Sequence, residues 1–178
     1  MDAFERLRAR THAQVALGLS AGGTLALHLA QTRRDDLAGL VLINPFLFST
    51  DRRMKVLPLA KRLLPALPGV GNDIAKPGAD EKPYDKTPLH ALASLVQLQR
   101  RVRARLGEVE VPTLVFTSRQ DHVVEPANSA LVLSSIASPQ RRQVWLERSF
   151  HVATLDYDLP DIARLTAEFA AAVCNPGS

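Results

Sequence analysis

Three short apolar runs set the rhythm of this chain. Ala13 to Leu19 is apolar apart from Gln14 and Gly18, Gly39 to Ile43 is apolar throughout, and Thr113 to Thr117 encloses Leu-Val-Phe between threonines. Runs of this length, without polar alternation, fit parallel strands buried on both faces. Gln143 to Leu146 is a shorter fourth. Between and after them the period changes. Thr24 to Ala30 is helix-forming, and Ala127 to Ile136 continues from Pro126, a residue suited to the first helical position. Asp158 to Val173 places Leu159, Ile162, Ala163, Leu165, Phe169 and Val173 in a helical stripe. Strands alternating with helices predict an α/β fold with a parallel sheet of about four strands, flanked by helices.

The alternation fails between Phe46 and Gly107. Six prolines, at 58, 65, 68, 77, 83 and 88, fall in this stretch with Gly69, Gly71 and Gly78. Val56 to Leu67 is short and leucine-rich, whereas Leu89 to Leu106 has the pattern of a longer amphipathic helix. Such an excursion is too long for a plain crossover. It predicts a helical cap insertion at about 46–107, over the ligand-binding end of one domain spanning 1–178. Met1 to His12 reads as the tail of a helix, with Phe4 and Leu7 three apart.

Composition narrows the class. A chain of 178 residues predicts one domain, and at this size roughly 70% of the unfolded surface can be buried without disulfides or metals. A single cysteine, Cys174, excludes a disulfide framework and a cysteine-based zinc site. No apolar run approaches the ~20 residues of a membrane span, and the charged first twelve residues are unlike a signal peptide. The expectation is a soluble, cytoplasmic protein with no stable membrane insertion. The net charge of +4 includes a cluster at Arg100, Arg101, Arg103 and Arg105. No aromatic residue lies between Tyr84 and Phe116, so the cluster reads as a solvated helix face and no nucleic-acid partner is expected.

The chemistry begins at Gly18-Leu19-Ser20-Ala21-Gly22. This matches G-x-S-x-G, and it sits where that motif works, between an apolar strand and a helix. Ser20 would project from a sharp, strained turn, with glycines at 18 and 22 leaving room around it. The Ala21 amide, at the helix N-terminus, would face a developing oxyanion. A phosphate-binding loop is disfavoured, because no Lys-Ser or Lys-Thr pair follows the glycines. A serine hydroxyl needs a base, and the base an orienting carboxylate. His151 follows the fourth strand and Asp121 the third, so both would converge on Ser20. His12, His28 and His90 are poorly placed, and His122 would have to point away from its neighbour Asp121. Glu125 is the reserve carboxylate. Asp156 and Asp158 have a simpler role available at a helix N-terminus.

Four stretches taken together resemble the carboxylesterase and monoacylglycerol-lipase branch of the α/β-hydrolase superfamily. They are Gly18 to Leu27, Val111 to Val115, Asp121-His122-Val123-Val124, and Ser149 to Asp156. The resemblance implies a serine hydrolase acting on carboxylic esters, such as short or medium acyl esters or monoacylglycerols, through an acyl-enzyme. Ser20 would be the nucleophile, Asp121 the acid and His151 the base, with Ala21 giving one oxyanion donor. No cofactor or metal is implied, and the partner is a small-molecule ester. Leu57, Leu63, Leu64, Leu67, Leu92, Leu95 and Val96 suggest an apolar acyl pocket, although ordinary packing explains any one of them equally well.

The resemblance covers only the back half of such an enzyme. A complete α/β-hydrolase has about four strands ahead of the nucleophile strand, and here only Met1 to His12 precede it. The His-Gly segment that supplies a second oxyanion donor is missing, a loss worth roughly 10²–10³ in rate. These departures predict a truncated product whose strand at 15–19 is an exposed edge, open to oligomerisation. The alternative function is a catalytically inactive remnant serving as a binding or oligomerising domain.

Overall fold

A computed structural model describes residues 2–51, 57–69 and 71–175. Four parallel strands form the main sheet in the order β1-β2-β5-β6: β1 (Val15–Leu19), β2 (Gly39–Ile43), β5 (Thr113–Ser118) and β6 (Arg141–Leu146). Val15 lies opposite Gly39, Leu40 opposite Thr113, and Thr113 opposite Arg141. The connecting helices are α2 (Ala21–Thr32) after β1, α5 (Ala127–Ser135) after β5, and α6 (Leu159–Cys174) after β6. A short α1 (Asp2–Arg8) precedes the sheet. The Arg8–Asp36 and Arg33–Glu5 ion pairs, at 2.9 and 3.0 Å, tie α1 to the turn that follows α2.

The unbroken apolar runs have a simple cause. Alternate residues of β2 and β5 serve two different cores. Leu40, Leu42 and Val115 pack with Leu27 and Ala30 of α2, Val132 of α5, and Val102 of α4 (Leu89–Ala104). Val41, Ile43, Leu114 and Phe116 face the other way, against Ile162, Leu165 and Phe169 of α6. Both central strands are therefore buried along their whole length. Each fully buried aliphatic or aromatic side chain contributes roughly 1.5–3 kcal/mol.

The edges differ from the centre. On β6 the strand starts at Arg141, two residues ahead of the apolar run, because Arg141 and Arg142 are exposed and carry no hydrophobic signal. On the opposite edge β1 pairs only with β2 among the described residues, and Leu17 is 52% exposed.

The 46–107 excursion holds α3 (Leu57–Leu63), α4, and an antiparallel pair of three-residue strands, β3 (Ala66–Pro68) with β4 (Lys86–Pro88). Neither short strand was predictable from periodicity: each is three residues long and ends in proline. Leu57, Leu92 and Val96 gather with Leu89, Ala93 and Ala60 in a small core between α3 and α4, which is packing within the excursion itself. Leu64 and Leu67 are exposed, and the side chain of Leu63 lies outside the described residues. The arginine cluster on and after α4 is exposed, and Arg105 pairs with Glu108. Among the described residues, no helix is long and apolar enough to cross a membrane.

Candidate active site

Strand β1 ends in a sharp turn at Ser20. Ser20 adopts φ 53°, ψ −119°, a left-handed conformation that costs of order 1–3 kcal/mol for a residue with a side chain. Three backbone hydrogen bonds hold it there. Ser20 N–H donates to the Ile43 carbonyl at 2.9 Å, and the Ser20 carbonyl accepts from Gly23 at 2.9 Å and Phe46 at 3.0 Å. The chain doubles back so closely that a Cβ on Gly18 would lie 2.2 Å from the Gly22 carbonyl oxygen, so glycine is required. Gly22 itself has open space, contrary to the expectation that it relieves crowding; Gly23 is the tight position, against Pro45. Helix α2 begins at Ala21, whose amide is among the first four that have no intrahelical acceptor.

Strands β5 and β6 deliver their residues to the same carboxyl end of the sheet. The Asp121 carboxylate splits its work between its two oxygens. Oδ1 accepts the amides of Val123 and Val124 at 2.9 and 2.7 Å, which fixes the carboxylate plane. Oδ2 meets His151 Nδ1 at 2.7 Å, with the two side chains 1% and 8% exposed. A buried carboxylate on Nδ1 leaves Nε2 as the nitrogen for proton transfer. Among the described residues no hydrogen bond joins the Ser20 hydroxyl to His151; such bonds are often long before substrate binds.

Asn44, directly after β2, carries a role that sequence reading missed. It is buried, with φ 44°. Its Oδ1 accepts the Ser118 amide at 2.8 Å, while its Nδ2 donates to Ser118 Oγ at 2.9 Å and to the His151 carbonyl at 2.8 Å. Ser118 Oγ in turn donates to the Phe150 carbonyl at 2.8 Å. One amide side chain thus locks the end of β2 to the end of β5 and to the loop bearing His151. The Asn-Pro pair at 44–45 was the only local signal, and it read as the end of a strand.

The remaining polar residues find other partners. His122 turns away from Asp121, as its place in the chain required, and its Nδ1 lies 2.8 Å from Asp73 Oδ1. Glu125 accepts the hydroxyl of Thr50 and is exposed. Asp158 precedes α6 without capping it. It is buried and receives the Arg148 amide and guanidinium at 3.0 and 2.9 Å, which departs from the simple capping expectation. Asp156 accepts amides from Ala75, Lys76, Phe150 and Tyr157.

Comparison with known proteins shows the family to which this fold belongs. The family model described as serine aminopeptidase, S33, matches residues 2–158. The chain is 36% identical over 176 residues to a thermostable monoacylglycerol lipase of Bacillus sp. (strain H-257), covering 96% of this chain and 67% of the relative. The chain belongs to this α/β-hydrolase family. A carboxylesterase of Bacillus subtilis (strain 168) is 28% identical over 160 residues, covering 88% of this chain and 63% of its own. Thus the chain spans about two-thirds of the length of these two family members. Among solved structures, a metagenome-derived lipolytic enzyme (from the pair LipS and LipT) superposes with a TM-score of 0.90 at 34% identity, covering 94% of this chain and 69% of that one. A Paleococcus ferrophilus monoacylglycerol lipase shares the fold with a TM-score of 0.80 at 17% identity, covering 97% and 72%. The family is therefore one of lipase- and esterase-type hydrolases.

Proposed function

We propose that the chain cleaves carboxylic esters by a two-step acyl transfer through Ser20. The observation that carries this reading is the 2.7 Å contact between the buried Asp121 carboxylate and His151 Nδ1, at the sheet end that also bears the strained Ser20 elbow. Ser20 Oγ attacks the acyl carbonyl while His151 Nε2 takes its proton, and Asp121 holds the imidazole and stabilises its charged form. The Ala21 amide donates to the oxyanion as it develops. Breaking the acyl–oxygen bond releases the alcohol, which receives the proton from His151. Water then attacks the acyl-enzyme by the same route in reverse and frees the acid.

Short or medium acyl esters and monoacylglycerols are the proposed substrates, since the curated relatives are a monoacylglycerol lipase and a carboxylesterase. The 46–107 excursion serves as a cap over the site within one domain, and the compartment proposed is the cytoplasm. Hydrolysis of a graded series of p-nitrophenyl esters, a monoacylglycerol and an aminoacyl anilide tests the assignment. Ester turnover that vanishes in Ser20→Ala supports it; preferential anilide cleavage favours a peptidase instead.

The open β1 edge favours a second reading, in which the domain is catalytically silent and binds or oligomerises through residues 15–19. It predicts a concentration-dependent mass in solution and no ester turnover.

A further inference from the structure

Residues 72–76 of the excursion reach back to the two loops that carry Asp121 and His151. The contact centres on Asp73, whose side chain is 14% exposed. Its Oδ2 accepts the backbone amide of His151 and that of His122, both at 3.1 Å, and its Oδ1 meets His122 Nδ1 at 2.8 Å. The Asp73 carbonyl also accepts the Val152 amide at 3.1 Å. One residue therefore holds the base itself, the residue after the base, and the residue after the acid. His122 is steadied from its other side by an edge-on contact with the Phe150 ring, at 4.5 Å between centroids.

Simple attachment of the excursion to the sheet does not require this arrangement. Asp156 already performs that task, since it takes the Ala75 and Lys76 amides together with those of Phe150 and Tyr157. Asp73 differs in that its carboxylate lies between the acid loop and the base loop and bonds to both. Two amides directed at one oxygen fix the separation of the two loops, and with it the Asp121–His151 contact.

We propose that Asp73 is a positioning residue, supplied by the excursion, that holds His151 in register with Asp121 by bridging the two loops. This inference rests on the triad reading above and extends it. Docking of the 72–76 segment and assembly of the acid–base pair become one event. Asp73 touches no reacting atom, so its effect passes through the geometry of His151.

The test reads His151 directly. In the folded chain, the His151 Nδ1 proton held by Asp121 is expected to give a downfield NMR resonance, assigned by its loss in His151→Asn. Asp73→Ala is expected to speed solvent exchange of that proton by about fivefold, the factor one hydrogen bond of ordinary strength is worth. Asp73→Asn, which keeps an oxygen for the two amides, is expected to restore it. Glu81→Ala is the control, because Glu81 clasps Asn72 in the same segment without touching His151; it should leave the exchange unchanged. If Asp73→Ala does not fold, Asp73→Glu, which displaces the carboxylate by one methylene, provides the same comparison. An exchange rate unchanged in these Asp73 variants, or raised equally by Glu81→Ala, overturns the proposal. A wild-type chain that follows the expected pattern yet takes no fluorophosphonate supports the positioning role while overturning the hydrolase reading.

Discussion

Asn44 satisfies three buried polar groups with a single side chain, and its removal is correspondingly severe. Asn44→Ala strands the Ser118 amide and the His151 carbonyl in the interior, at roughly 1–3 kcal/mol for each unsatisfied group. Thermal denaturation of the purified variant should show a loss of about 2–6 kcal/mol. Asp121→Asn makes a different prediction, because the amide keeps the shape but supports the wrong imidazole tautomer. On the proposed mechanism kcat falls by roughly 10³–10⁴ with little change in stability, and steady-state kinetics beside a melting curve separate the two effects. These residues also mark what sequence can reveal. The Ser20 elbow is legible because its motif spans only five residues, Gly18 to Gly22, between two recognisable elements. Asn44 is not, since its partners lie 74 and 107 positions away, and Asp73 reaches across 49 and 78.

Among the elements, the central strands and long helices follow from periodicity because their burial is uniform. Strand β2 matches its apolar run residue for residue, as does most of α6. The excursion was legible as an interruption and, within it, as the amphipathic run that forms α4. Its β3–β4 pair is too short for a pattern, and the leucines that suggested an acyl pocket partly build a core of their own. The 72–76 segment of the excursion is held to the loops after β5 and β6 by the carboxylates of Asp73 and Asp156, and Asp73 gives that contact a pH dependence. Burial raises the Asp73 pKa, but hydrogen bonds from the His122 side chain and backbone and from the His151 amide, with the charge of His122, outweigh burial and leave it below its ordinary value. A carboxyl depressed in the folded state stabilises above its unfolded pKa, and that stability is lost as the pH falls through the folded value. The 72–76 segment should therefore stay docked at neutral pH and loosen only below about pH 4. Hydrogen exchange at the Val152 amide, followed from pH 7 to pH 3, should show protection retained to about pH 4 and then lost.

At the scale of the whole molecule, the sheet is asymmetric. Strand β6 presents charged residues at its start, whereas β1 presents Leu17, with Leu25 of α2 and Leu7 of α1 exposed nearby. An apolar groove lined by Phe4, Leu7, Val15, Leu17, Leu25 and Leu29 runs along that side. An unpaired apolar edge promotes strand pairing between chains, and a lysine on it opposes such pairing. If β1 mediates self-association, Leu17→Lys shifts the sedimentation profile toward monomer, while Leu64→Lys, on the excursion, does not. The catalytic account makes a more direct demand on the same molecule, namely that Ser20 be an activated nucleophile. The measurement that tests it is intact-mass detection of a fluorophosphonate adduct on the purified, folded chain, beside Ser20→Ala. The account predicts one adduct per chain, abolished by the substitution. A folded wild-type chain that forms no adduct, or one whose adduct survives Ser20→Ala, would contradict it.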